Sequence, residues 1–118
     1  MTRGEKPVYL DPSQPVEKRV EDLLGRMTLE EKVGQLCQYS GFSEQNEDII
    51  REGRVGSLLN VFGAEKVNRV QSIAVKNSRL GIPLIFGLDV LHGYVTTLPI
   101  PLGLASTWDP EIVKRAAS

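Results

Sequence analysis

"RVGSLLNVFGAEKVNRVQSIAVKNSRLGIPLIFGLDV", Arg54–Val90, decides the fold. It opens with a short apolar run, "RVGSLLNVFG", bounded by glycine and too brief for a helix, which reads as a buried strand. "AEKVNRVQSIAVKNSRLG" comes next, with Val67, Val70, Ile73 and Ala74 on one face at helical spacing and Gly81 as its stop. "IPLIFGLDV" is a second continuous apolar strand, and Pro83 is tolerable at its first position. Two buried strands joined by one crossover helix of about four turns should lie parallel, with a right-handed connection. The expected class is α/β.

Outward from that unit, residues 1–15 read as an extended lead in which Pro7, Pro12 and Pro15 fix the backbone. "VEKRVEDLLGRM" places Val16, Val20, Leu23 and Leu24 at helical spacing, with Gly25 closing the helix. "TLEEKVGQLCQY" restarts at once, because Thr28 is an N-cap and Glu31 completes a capping box; this second helix is expected to run to Gly41. A short third helix is expected from Ser43 to Gly53. Beyond the loop leading to Pro101, "STWDPEIVKRAAS" starts another helix, capped by Asp109 with Pro110 at its first position. That last helix has a start signal without a stop signal, and two parallel strands are too few for a covered sheet. The expectation is the opening section of a larger α/β protein.

The 118 residues carry 14 basic and 15 acidic side chains spread along the chain, for a net charge of -1. No basic stripe neutralises phosphates, so nucleic acid is not an expected partner. No apolar run is long enough for a membrane-spanning helix. The polar, proline-broken N-terminus lacks the apolar core of a signal peptide. As written the chain reads as cytoplasmic; with a signal removed, a periplasmic or secreted location fits equally. The single cysteine, Cys37, cannot form an intramolecular disulfide, and its place in the apolar phase of a helix favours a buried packing role over a reactive thiol.

The chemistry concentrates around Asp89. In parallel α/β architectures, ligands meet the C-terminal ends of the strands. Asp89 ends "PLIFGL" and Asn60 ends "VGSLL", so neighbouring strands would aim both side chains at one mouth. An aspartate there can accept hydrogen bonds from two vicinal hydroxyls of a sugar, each charge-assisted bond contributing about 1.5–3 kcal/mol. It can equally accept backbone N–H bonds within the "GLDVLHG" turn. Position and spacing leave both readings open. His92, a lone histidine, is too little for a metal site and fits a role bracing the loop. Ser40, Ser57 and Ser106 have no nucleophile elbow, and no glycine-rich phosphate loop has the required spacing. Trp108, beside a helix start, fits packing better than stacking on a sugar.

The order "MTLEEKVGQL", "GRVGSLLNV" and "SRLGIPLIFGLDVLHGYVTTLPIPLGLASTWDPEIV" resembles the start of glycoside hydrolase family 3 β-glucosidases. It is most similar to bacterial members with "DVLHG" or "DVIHG" followed by "FPIPLGLAS". The likeness runs from about Tyr9 to Ser118. It implies an N-terminal fragment of a (β/α)8 TIM-like barrel with preceding helices, residues 16–118 forming the truncated first part of the barrel domain. It implies retaining removal of terminal non-reducing β-D-glucosyl or β-D-xylosyl residues from a β-linked oligosaccharide or glucoside, with no metal and no cofactor. The family's sugar-holding aspartate maps onto Asp89; His92 matches the motif's histidine and, with Asn60, is expected to support the site.

The sequence also departs from the family. The nucleophile of family members is an aspartate in a later "SDW"- or "SDH"-like segment, which has no counterpart among these residues. The acid/base glutamate comes later still, so no catalytic residue is expected here and the chain alone should be inactive. Tyr94 and Val95 come after "HG" where many relatives carry a basic residue. The alternative, of another class, is a non-catalytic α/β module that binds a sugar or a protein.

Overall fold

In the computed structural model, which describes residues 6–117, the quoted segment forms β2 (Ser57–Leu59), α4 (Ala64–Asn77) and β3 (Ile85–Gly87). The two strands pair in parallel, Ser57 opposite Ile85, Leu58 opposite Phe86 and Leu59 opposite Gly87. Ahead of them come α1 (Val16–Arg26), α2 (Leu29–Gln35), a further strand β1 (Gln38–Ser40) and α3 (Glu47–Arg51). β1 pairs in parallel with the other edge of β2, giving the order β1-β2-β3. The chain divides into one unit ending at Gly87 and another beginning at Leu88, and each is described by itself.

Strand register sorts the sheet's side chains into two faces. Tyr39, Leu58 and Phe86 share one row; Leu58 is 1% exposed, and Phe86 packs against the core. The core on that side joins Leu58 and Leu84 to Ile50 of α3 and to Val70, Ile73 and Ala74 of α4. The opposite face carries Gln38, Ser57 and Ile85 in one row and Ser40, Leu59 and Gly87 in the next. Ile85 on that face is 74% exposed. The expectation of strands buried on both faces is therefore corrected. The apolar stripes of α3 and α4 reach one side of the sheet only, and among the described residues of this unit the other side meets none.

The second helix also ends earlier than its apolar phase suggests. Its last turn tightens at Leu36, whose N–H bonds the Val33 carbonyl, and at Cys37, whose N–H bonds Gly34. The Cys37 carbonyl then accepts from the N–H groups of Gly56 and Ser57, at 3.1 and 3.3 Å, which starts the sheet. This crossing needs two glycines. A Cβ on Gly34 would stand 2.3 Å from the Gly53 carbonyl oxygen, and one on Gly56 would stand 2.3 Å from that of Gln35. Cys37 is consequently half-buried rather than in the core, its Sγ 3.4 Å from the Val33 carbonyl.

The capping box at α2 is present as expected. Thr28 Oγ1 accepts from the Glu31 N–H at 3.2 Å, and Glu31 Oε2 accepts from the Thr28 N–H at 2.9 Å. Glu31, 8% exposed, is also gripped by Arg79, whose Nε donates to Oε1 at 3.0 Å and whose Nη2 donates to Oε2. The same Nη2 reaches the Arg26 carbonyl at 2.8 Å, so one guanidinium joins α1, α2 and the segment after α4. The Arg79 hydrogen bonds hold the Glu31 carboxyl below its ordinary value against the opposing effect of burial.

Two further expectations are revised. Residues 1–5 of the extended lead lie outside the described residues. Within the remainder, Val8–Leu10 is a 3-10 turn, tied down by Tyr9 Oη donating to the Leu80 carbonyl at 2.9 Å and by Arg19 Nε donating to the Tyr9 carbonyl at 3.1 Å. α1 runs through Gly25 to Arg26, because the Met27 N–H still finds the Leu23 carbonyl at 3.2 Å. Among the described residues no helix is long and apolar enough to cross a membrane.

Candidate functional site

The three parallel strands present their C-terminal ends at one edge of the first unit, and backbone bonds continue past the strands there. The Gly41 N–H donates to the Leu59 carbonyl at 2.7 Å, and the Asn60 N–H donates to the Gly87 carbonyl at 2.9 Å. Asn60 takes the left-handed conformation, with φ 60°, which asparagine tolerates better than most residues. Its Nδ2 donates to Ser40 Oγ at 3.3 Å across to the end of β1. Beside these ends, Phe42, Ser43 and Glu44 after β1 and Glu65, Lys66 and Arg69 of α4 line a shallow cleft. Arg69 Nη2 sits 2.9 Å from Glu44 Oε1 across it, which raises the guanidinium above its usual range; this is a solvated ion pair.

Asp89 lies just past β3 at the start of the second unit and is exposed. The chain then turns into a tight hairpin, β4 (Gly93–Tyr94) antiparallel to β5 (Thr96–Thr97). The Gly93 N–H closes a turn on the Val90 carbonyl at 2.6 Å. Gly93 has φ 133°, and a Cβ there would lie 2.3 Å from the Thr96 carbonyl oxygen, so only glycine fits between the strands. Leu91 at φ 33° and Val95 at φ 66° also sit at positive φ, a costly conformation for branched side chains.

His92 spans this hairpin. Its carbonyl accepts from the Leu98 N–H at 2.7 Å, and its Nδ1 lies 3.0 Å from the Leu98 carbonyl. A carbonyl can only accept, so this bond places the proton on Nδ1. Backbone and ring together pin the two ends, His92 and Leu98, of the hairpin that starts three residues after Asp89. The structure thus places His92 and Asp89 in one loop of the second unit, and Asn60 among the strand ends of the first. The hairpin is not among the elements expected from the sequence, although "YVTT" carries β-branched residues beside glycine that signal it.

Beyond the hairpin come α5 (Pro101–Ala105) and α6 (Pro110–Ala116). Asp109 caps α6 as expected, Oδ1 accepting from the N–H groups of Glu111 at 2.9 Å and Ile112 at 3.3 Å. Trp108 has φ 54° and is 93% exposed, so within its unit it has no packing role of the kind expected. Among the described residues no three His, Cys, Asp or Glu side chains gather as a metal site would need.

Comparison with known proteins fits this frame. The family model described as the glycosyl hydrolase family 3 N terminal domain matches residues 28–118. Over 99 residues the chain is 40% identical to the periplasmic beta-glucosidase of Salmonella typhimurium, covering 80% of this chain and 13% of that protein. It is 30% identical over 146 residues to the periplasmic beta-glucosidase/beta-xylosidase of Dickeya chrysanthemi, covering 97% of this chain and 22% of that one. A solved structure of a beta-glucosidase involved in saponin metabolism from intestinal bacteria superposes with a TM-score of 0.57 at 46% identity. That match covers 83% of this chain and 13% of the solved one. The chain therefore spans between 13% and 22% of the length of these three relatives. Its match to the family model over most of its residues shows that it belongs to the glycosyl hydrolase family 3 N-terminal domain family.

Proposed function

We propose that this chain forms the opening strands and helices of a (β/α)8-type barrel domain, with residues 1–15 as its lead and residues 16–118 as barrel. In the whole enzyme, this barrel would hydrolyse β-linked glucosides or xylosides at the non-reducing end. Three observations support the barrel: parallel strands neighbouring one another in chain order, α3 and α4 packed on one face of the sheet, and an opposite face left open among the described residues of the first unit, as a barrel interior would be. The relatives named for glucoside and xyloside cleavage supply the substrate class.

In this reading Asp89 holds the terminal sugar. A carboxylate is an acceptor with two oxygens, suited to two adjacent hydroxyls of a pyranose. Its exposure just past β3 leaves it reachable, and the His92–Leu98 bonds fix the hairpin that follows it. Retaining hydrolysis also needs two carboxyl groups about 5–5.5 Å apart, one as nucleophile and one as acid and then base. By the family resemblance those groups belong to later segments. Asp89 contributes binding energy that grows as the ring flattens toward its oxocarbenium-like transition state.

The observation that carries the proposal is "GLDVLHGYVTTLPIPLGLAS" lying within the family match. The test is to follow hydrolysis of an aryl β-D-glucoside and an aryl β-D-xyloside by the whole enzyme with proton NMR. The β-anomer of the free sugar should appear first and mutarotate afterwards. Initial release of the α-anomer, or no hydrolysis of either substrate, would overturn the reading.

A further inference from the structure

The loops that follow β1 and β2 leave the sheet toward the same side. After Ser40, Gly41 turns at φ 76° with its N–H on the Leu59 carbonyl at 2.7 Å, and Phe42 then packs against the core. After Leu59, Asn60 turns at φ 60° with its N–H on the Gly87 carbonyl, and Val61 enters the core at 4% exposure. Both segments therefore depart toward the layer of α3 and α4. Neither roofs the opposite face of the sheet at its C-terminal edge.

Ser40 is the last residue of β1 and stands on that open face, in the row of Leu59 and Gly87, since the core row holds Tyr39, Leu58 and Phe86. It is exposed, and its Oγ accepts from Asn60 Nδ2 at 3.3 Å. A hydroxyl has one proton and two lone pairs, so a serine that accepts from an amide keeps its own O–H for another acceptor. The amide holds the oxygen in place while the proton points elsewhere. We infer that Ser40 is a further substrate-contacting residue, its hydroxyl donating to a hydroxyl oxygen of the terminal sugar. A sugar hydroxyl accepts as readily as it donates, and a neutral donor meets it without the cost of desolvating a charge. The inference rests on the barrel reading, in which side chains at the strand ends meet the substrate. It does not depend on Asp89.

The test compares kcat/KM of the whole enzyme and its Ser40→Ala variant on an aryl β-D-glucoside and on the monodeoxy analogues, each lacking a different sugar hydroxyl. Ser40→Ala should lower kcat/KM about fivefold on the parent glucoside, as loss of a neutral hydrogen bond does. On one analogue that loss should shrink below about twofold, because the hydroxyl that Ser40 meets is already gone. If Ser40→Ala does not fold, Ser40→Cys, whose thiol is a weak donor, runs the same series. An equal loss on every substrate would give Ser40 a structural role only and overturn the inference. So would an unchanged kcat/KM on the parent glucoside. A wild-type enzyme that hydrolyses none of these glucosides would instead sink the reading of function on which the inference stands.

Discussion

Replacing Arg79 by alanine tests how the first unit is held together. The guanidinium supplies two hydrogen bonds to the Glu31 carboxylate and one to the Arg26 carbonyl. Glu31 is 8% exposed, so after the change a buried carboxylate keeps only the Thr28 N–H as a partner among the described residues. Charge-assisted bonds contribute about 1.5–3 kcal/mol each when buried, but the Arg79 side chain is 54% exposed and water screens its half of the pair. The net loss should be about 2 kcal/mol rather than the sum.

The pH dependence gives the same network a second signature. Glu31 has its carboxyl held below the ordinary value of 4.5, chiefly by Arg79. A depressed carboxyl contributes stability above its unfolded value and loses it as pH falls through the lower, folded value. The gap between wild type and Arg79→Ala should therefore be full at about pH 7 and shrink steadily below about pH 4.5. Urea unfolding of both proteins across that range measures it. A gap that is absent at neutral pH, or that stays constant into acid, would refute the reasoning.

Packing and caps set three other outcomes. Gly34→Ala should destabilise the protein by at least about 2 kcal/mol in urea unfolding, despite alanine's better helix propensity, because its Cβ would overlap backbone atoms of Gly53 and Arg54. Leu58→Ala should cost about 2–5 kcal/mol in the same assay, since Leu58 is 1% exposed at the centre of the core. Asp109→Ala removes the acceptor for two helix N–H groups and should cost about 1 kcal/mol of the second unit's stability, read as faster amide exchange in α6.

The legible parts of this fold are those whose signal is local and repeated. The strand–helix–strand unit reads cleanly because α4 carries four apolar residues at helical spacing between two glycine-bounded apolar runs. The capping box at Thr28 and Glu31 and the Asp109 cap read from spacing alone. β1 does not, because Gln38 and Ser40 are polar and no breaker separates them from the helix before. The helix before it ends at the close approach of Gly34 and Gly56 to distant backbone, a contact no local pattern encodes. Arg79 as the partner of Glu31 is hidden for the same reason, lying 48 residues away in the chain.

At the candidate site, the position of Asp89 past a strand end is legible, and so is the pairing of aspartate with histidine in one short motif. The way His92 grips Leu98 is not, since it depends on a hairpin of two-residue strands that periodicity cannot resolve. The left-handed turn at Asn60 leaves only a faint trace, an asparagine ending an apolar run.

The most direct measurement is kcat/KM of the whole enzyme carrying Asp89→Asn, with an aryl β-D-glucoside as substrate. The exchange keeps the shape and removes the charge proposed to grip the sugar hydroxyls. A loss of about 2–3 kcal/mol in transition-state binding, roughly a hundredfold in kcat/KM, is predicted. An unchanged kcat/KM in a folded variant would contradict the account, leaving Asp89 as a turn residue and moving the sugar's grip elsewhere.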